Sequence, residues 1–192
     1  VLTIGEILPD FVPEGNFYKI YPGGAPSNVA INLAQWGIKS GIIAKLGNDF
    51  LGKYLYEFVK KNRVDVSCVS FIKTRKTGIV FVSLDKNGER NFEFYGDPSA
   101  DQFLDIKDIK DTYINKTRFF HYGTISFINK ISRKATIKAI QIAKKYKKII
   151  SCDPNIRLHL WNNHNEARIK IKKYIEYADI LKISEDEYKF LY

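Results

Sequence analysis

Gly23-Gly24-Ala25-Pro26-Ser27-Asn28-Val29-Ala30-Ile31-Asn32-Leu33-Ala34, closed by Gly37, is a glycine turn that runs into an amphipathic helix. Gly23 and Gly24 carry no Cβ, so a ligand can approach their backbone closely. Pro26 fixes the φ angle of one turn residue. Ser27 reads as the N-cap, and Val29, Ala30, Leu33 and Ala34 line one apolar face, which predicts a helix over 27–36. Such a turn aims backbone N–H groups and the Asn28 amide at one spot. It suits a polyhydroxylated or anionic small molecule. The plainer reading is a loop before a core helix, and the rest of the chain has to decide between them.

Working outward, Val1 to Leu8 reads as a buried strand. Asp10 to Tyr21 is polar, aromatic and marked by Gly and Pro, unlike a core connection. Downstream, Gly41 to Leu46 is an apolar strand. Asn48-Asp49 then caps a helix to about Lys61, and Val69 to Ile72 is a further strand. Gly78 to Leu84 and Arg90 to Tyr95 alternate around Asn87-Gly88, a strong hairpin signal. Strands Phe119–Tyr122, Ile149–Cys152 and Ile180–Ile183 then alternate with helices Arg133–Tyr146 and Asn165–Tyr177, and another helix begins after Ile183. The rhythm implies an α/β fold with a mostly parallel sheet and helices on both faces. The stretches at about 11–22 and 78–96 are excursions from it.

A chain of 192 residues, 45% hydrophobic and 14% aromatic, suits one globular domain. No apolar run approaches the roughly 20 residues of a membrane span, and no signal peptide is recognisable. The chain opens on Val1 and holds no Met, so the expectation is that the true start precedes it. Cys68 and Cys152 fit neither a metal spacing nor a disulfide framework, which points to the reducing cytoplasm. The net charge of +10 raises nucleic acid as a partner. Yet lysines such as Lys134, Lys138, Lys144 and Lys145 are spread along helices, and no basic cluster is interleaved with stacking aromatics. The expectation is therefore no nucleic acid and no membrane, with a positive field that favours anionic nucleotides.

The run GGAPSNVAINLAQWGIKSGIIAKLGNDFLG resembles the first signature of the ribokinase-like (PfkB) carbohydrate kinases. GEILPDFVP, GIVFVSLDKNGERNFEFYGDPSAD, FFHYGTISFI, SCDPNIRLHLW and ADILKISEDEYKFL resemble its fructokinase branch. They stand in the expected order from Val1 to Tyr192. The resemblance implies a ribokinase-like sheet, with the two excursions forming a small β lid over a sugar site. It implies ATP-dependent phosphorylation of a sugar hydroxyl, with fructose as the sugar and ATP and Mg²⁺ as cofactors. It also suggests a homodimer paired through lid edge strands. The family's second signature, a Gly-Ala-Gly-Asp turn carrying the catalytic aspartate, is absent. Residues 1–192 thus read as an incomplete kinase domain whose base lies downstream.

Asp10 follows the first strand, at the strand ends where α/β folds bind ligands. A carboxylate there can accept hydrogen bonds from two neighbouring hydroxyls, although Asp10 could also simply start a turn. The resemblance assigns sugar contacts to Asp10, Gly23, Gly24 and Asn28, and places Gly123 close to the sugar. One of Phe94 and Tyr95 faces inward, because side chains alternate along a strand. Tyr95 is assigned to the sugar, though period two does not say which face is which. Gly96 stands where relatives that phosphorylate acidic sugars carry an arginine, so a neutral sugar is expected. Arg157, in Asp153-Pro154-Asn155-Ile156-Arg157, can hold a phosphoryl group bidentately or form a structural salt bridge. Ser184 to Glu187 is a capping box. By resemblance it is also the family's Asn-x-x-Glu motif, with Ser for Asn, which helps place magnesium and phosphate through water. His121, among apolar neighbours, reads as a core histidine. The alternatives are a non-catalytic sugar-binding fragment or pseudokinase half, a 2-keto-3-deoxygluconate kinase or other PfkB kinase, and a basic nucleic-acid-binding domain.

Overall fold

The computed structural model describes residues 1–84, 90–96 and 98–192. From the N-terminus, β1 (Leu2–Ile4) enters the core, and β2 (Leu8–Glu14) and β3 (Phe17–Gly23) leave it as an antiparallel pair. Helix α1 (Ala25–Gln35), β4 (Gly41–Gly47), α2 (Phe50–Lys61) and β5 (Asp65–Ile72) return to it. Strands β6 (Ile79–Leu84) and β7 (Arg90–Tyr95) form the second excursion. The short helix α3 (Asp111–Asn115), β8 (Phe119–Tyr122), α4 (Lys130–Lys145), β9 (Ile149–Cys152), α5 (His164–Ile175), β10 (Ile180–Leu181) and α6 (Glu185–Leu191) follow. The Asn87-Gly88 turn lies outside the described residues.

Six strands build a parallel sheet in the order β10-β9-β8-β1-β4-β5. The pleat sends alternate residues to opposite faces. Ile43, Phe120, Tyr122 and Ile150 pack with Ala135, Ala139 and Ala143 of α4 and Ala167 and Ile171 of α5. Ile42, Ala44 and Leu46 pack with Ala30 and Ala34 of α1 and Leu55 and Val59 of α2. The alanines on α4 recur every four residues, so one small-residue stripe lets that helix sit close to the sheet. The expected α/β architecture with helices on both faces is therefore present.

The element boundaries correct the sequence reading in three places. The strand expected over Val1 to Leu8 breaks after Ile4, where Gly5 takes φ 148° and the chain turns before β2. Strand β5 starts at Asp65 rather than Val69. Among the described residues it pairs only with β4, so its first half alternates buried and exposed residues instead of forming an apolar run. Ser27 is not the N-cap. Gly24 takes that place, and Ser27 is fully buried in the first turn, with no partner for its Oγ among the described residues.

Asp49 does cap α2. One carboxylate oxygen accepts from Gly52 N and Thr77 Oγ1, and the other from Thr77 N. Burial pushes its pKa up, but these hydrogen bonds and Lys76 leave it below the ordinary carboxylate value. This knot ties the end of β4 to the loop that leads into β6.

Candidate functional site

Strands β2, β3, β6 and β7 form a second sheet in the order β3-β2-β6-β7. Between it and the ends of the parallel strands lies a cavity of about 320 Å³. Asp10 pairs with Val80, Val80 with Phe94, and Val82 with Phe92. Residues directly opposite in a ladder share a face. Asp10, Val80, Phe92 and Phe94 accordingly all line the cavity. The other face is built by Phe11, Tyr18, Phe81 and Tyr95, with ring centroids 5.1–5.2 Å from Phe81. Tyr95 is therefore misassigned by the sequence reading. It is half exposed on the outer face, and its hydroxyl donates to Glu93 Oε1 at 3.0 Å. Phe94 is the aromatic that faces in.

The glycine turn supplies the floor. Gly24 takes φ 99°, and a Cβ there would lie 2.4 Å from the carbonyl oxygen of Glu6. Both the conformation and the close approach require glycine. At Gly23, a Cβ would lie 2.4 Å from Asp10 Oδ2, so Gly23 leaves the space that the carboxylate fills. Gly23 itself is buried, whereas Gly24 and Asn28 line the cavity.

The opposite wall is Asn155 and Arg157. Asn155 sits in the left-handed region at φ 46°, a turn that Asn tolerates. Arg157 is partly buried, with its guanidinium 5.4 Å from the centre of the Phe92 ring. It forms no salt bridge, so the structural alternative weighed for it is not realised among the described residues.

Ser184 and Glu187 do not line the cavity. Ser184 Oγ accepts from Glu187 N, and Glu187 Oε2 accepts from Ser184 N, completing the capping box. Glu187 Oε1 accepts from Ile156 N at 2.7 Å, so the carboxylate grips the Asn155–Arg157 loop from behind. Gly123 also stays off the cavity surface, and Ile125, two residues on, reaches it instead. A Cβ on Gly123 would lie 3.3 Å from the Asp153 carbonyl oxygen. His121 is buried, with Nδ1 2.9 Å from Ser151 Oγ.

Glu6 is the charged cavity residue that sequence reasoning missed. It is 4% exposed, and its Oε1 accepts from Ala25 N at 3.1 Å. Burial pushes its carboxyl up to about 7, with Asp101 adding to the rise. Hydrogen bonds from its own and the Ala25 backbone, and the charge of Arg157, pull the other way. The available signal was a lone carboxylate in the apolar run Thr3-Ile4-Gly5-Glu6-Ile7-Leu8.

A larger hollow, about 460 Å³, lies at the opposite end of the parallel strands and is lined by Lys39, Arg63, Lys116 and Arg118. Helices α1, α2 and α3 end there, and cations at helix C-termini neutralise the exposed carbonyls. The hollow at the carboxyl ends of the strands combines carboxylates, amides, a cation and aromatic walls, which is the composition of a small-molecule site.

Residues 5–192 match the pfkB family carbohydrate kinase domain. The chain belongs to this family. It is 40% identical to probable fructokinase-7 of Arabidopsis thaliana, over all of this chain and 58% of that protein. A fructokinase from Xylella fastidiosa with bound ATP superposes with a TM-score of 0.91 at 29% identity, over 100% of this chain and 63% of the other. The fructokinase from Vibrio cholerae O395 in its fructose, ADP and calcium ion bound form gives 0.91 at 33% identity, over 99% and 62%. The chain thus spans about three fifths of the length of the relatives it matches.

Proposed function

We propose that this chain forms the sugar-binding part of an ATP-dependent sugar kinase whose substrate is fructose. The observation that carries the reading is the convergence of Asp10, Gly24, Asn28 and Arg157, from three separate segments, on one cavity beside the strand ends. Asp10 would accept hydrogen bonds from two sugar hydroxyls, and Gly24 and Asn28 would fix the ring from the helix side. Arg157 would face the incoming phosphoryl group and offset its charge. The second sheet would act as the lid, with Phe92 and Phe94 covering the apolar face of the sugar and excluding water.

ATP, when bound, supplies the phosphoryl group, and Mg²⁺ neutralises charge on its phosphates. Arg157 suits the phosphoryl end of that ligand. Among the described residues no three His, Cys, Asp or Glu side chains converge in a way that could hold a metal ion. Glu187 is spent on Ile156 N and Ser184 N, and its role here is to hold the Arg157 loop. The general base and the turn that cradles the phosphates are assigned to the part of the relatives that this chain does not span.

The outer aromatic face of the second sheet, Phe11, Tyr18, Phe81 and Tyr95, supports a homodimer formed through the lid. Cys68 and Cys152 are free and buried, and burial pushes their thiols up to about 11 and about 12. That favours inert thiols in a reducing cytoplasm. No helix among the described residues is long and apolar enough to cross a membrane.

A coupled assay of the full-length protein with fructose and with 2-keto-3-deoxygluconate tests the reading. Gly96 brings no cation to the lid, so kcat/KM is expected to be higher for fructose. The reverse order would replace fructose with an acidic sugar.

A further inference from the structure

Burying a carboxyl is costly unless something holds it or uses it. Glu6 is almost wholly buried, yet it forms no salt bridge among the described residues. Its contacts instead converge on one place, the start of α1. Its Oε1 accepts from Ala25 N, and its backbone carbonyl oxygen lies where a Cβ on Gly24 would have to go. Gly24, the N-cap of α1, and Asn28 in its first turn line the cavity with Ala25, one residue before and three residues after the amide that Glu6 holds. Asn28 N in turn donates to Gly24 O at 2.8 Å, which makes this turn a single unit.

We propose that Glu6 is a positioning residue for sugar binding: it pins the first turn of α1 to the end of β1, and so fixes Gly24 and Asn28 at the cavity. The inference rests on the sugar-kinase reading above. It concerns a residue that acts through its neighbours rather than one that reacts. Two features separate it from plain core packing. An isosteric amide keeps an oxygen acceptor for Ala25 N, so Glu6→Gln should preserve the function. Glu6→Ala removes the acceptor, and Glu6→Asp draws it back by one methylene, so both should release the turn.

The test measures fructose KM and kcat separately on the full-length protein and the three variants, with circular dichroism to confirm folding. Glu6→Ala and Glu6→Asp are expected to raise KM by roughly 3–30-fold, the loss of one positioning hydrogen bond plus the resulting misplacement. Their kcat at saturating fructose should stay within about threefold, because the reacting groups are untouched. Glu6→Gln should restore KM to within about twofold of the parent. If Glu6→Ala does not fold, Glu6→Asp carries the same expectation. A folded Glu6→Ala or Glu6→Asp variant with parental KM overturns the proposal. So does a Glu6→Gln variant as impaired as Glu6→Ala, since the charge rather than the acceptor would then matter. A parent protein that neither binds nor phosphorylates fructose overturns the fructose reading above, and this inference with it.

Discussion

The Asp10 carboxylate occupies the space that a Cβ on Gly23 would need, with Oδ2 only 2.4 Å from that position. Two residues on paired strands are thus matched in volume, and the match sets where the carboxylate points. Gly23→Ala must push Asp10 aside, an overpacking cost of roughly 1–3 kcal/mol. In the full-length protein, fructose KM should rise about tenfold, with a smaller loss of thermal stability. Unchanged KM would show that Asp10 can move without consequence for the sugar.

Phe94 and Tyr95 are neighbours in sequence on opposite faces of one sheet. Phe94→Ala opens the cavity wall and also removes a ring contact with His159, whose centroid lies 5.6 Å away. It should raise fructose KM by roughly fivefold, consistent with about 1 kcal/mol for a half-buried aromatic. Tyr95→Ala should leave KM within about twofold, and act instead on self-association measured by sedimentation. The opposite pattern would reverse the assignment of the two faces.

Glu6 makes stability depend on pH. Its folded pKa, about 7, is raised above the ordinary 4.5. The folded state therefore holds this proton more tightly than the unfolded chain does. The associated stability is complete below about pH 4.5 and is lost as pH climbs through about 7. For so buried a group the loss is on the order of 3 kcal/mol. Denaturant unfolding at pH 5 and pH 8 should show it as a difference from Glu6→Gln, which cannot ionise. Parallel pH dependence in the two proteins would show that Glu6 keeps an ordinary pKa.

Most of the scaffold was legible because its signals are local. The apolar runs of β4, β8 and β9 stand out, as do the Asp49 cap of α2 and the capping box at Ser184. The start of β5 was not, because an edge strand with one solvated face has no apolar run to mark it. Ser27 failed as a cap because Gly24 already turns the chain, so the helix begins two residues before Ser27. The site was legible where position along the chain fixes it, as for Asp10 after β1 and Arg157 after β9. Choosing Phe94 over Tyr95 needed the register with Val80, which is a tertiary fact. Glu6 was passed over because its one local signal, a lone carboxylate in an apolar run, does not say that it faces the cavity, which is a tertiary fact. The second role of Glu187 was hidden for the same reason, since Ile156 is 31 residues away.

The central claim is that the cavity between the two sheets binds the sugar through Asp10. Its most direct test is kcat/KM for fructose in the full-length protein and in Asp10→Ala. Removing two charge-assisted hydrogen bonds, each worth roughly 1.5–3 kcal/mol, should lower kcat/KM by at least about tenfold. A variant that keeps kcat/KM within twofold of the parent would place the sugar elsewhere and contradict the account.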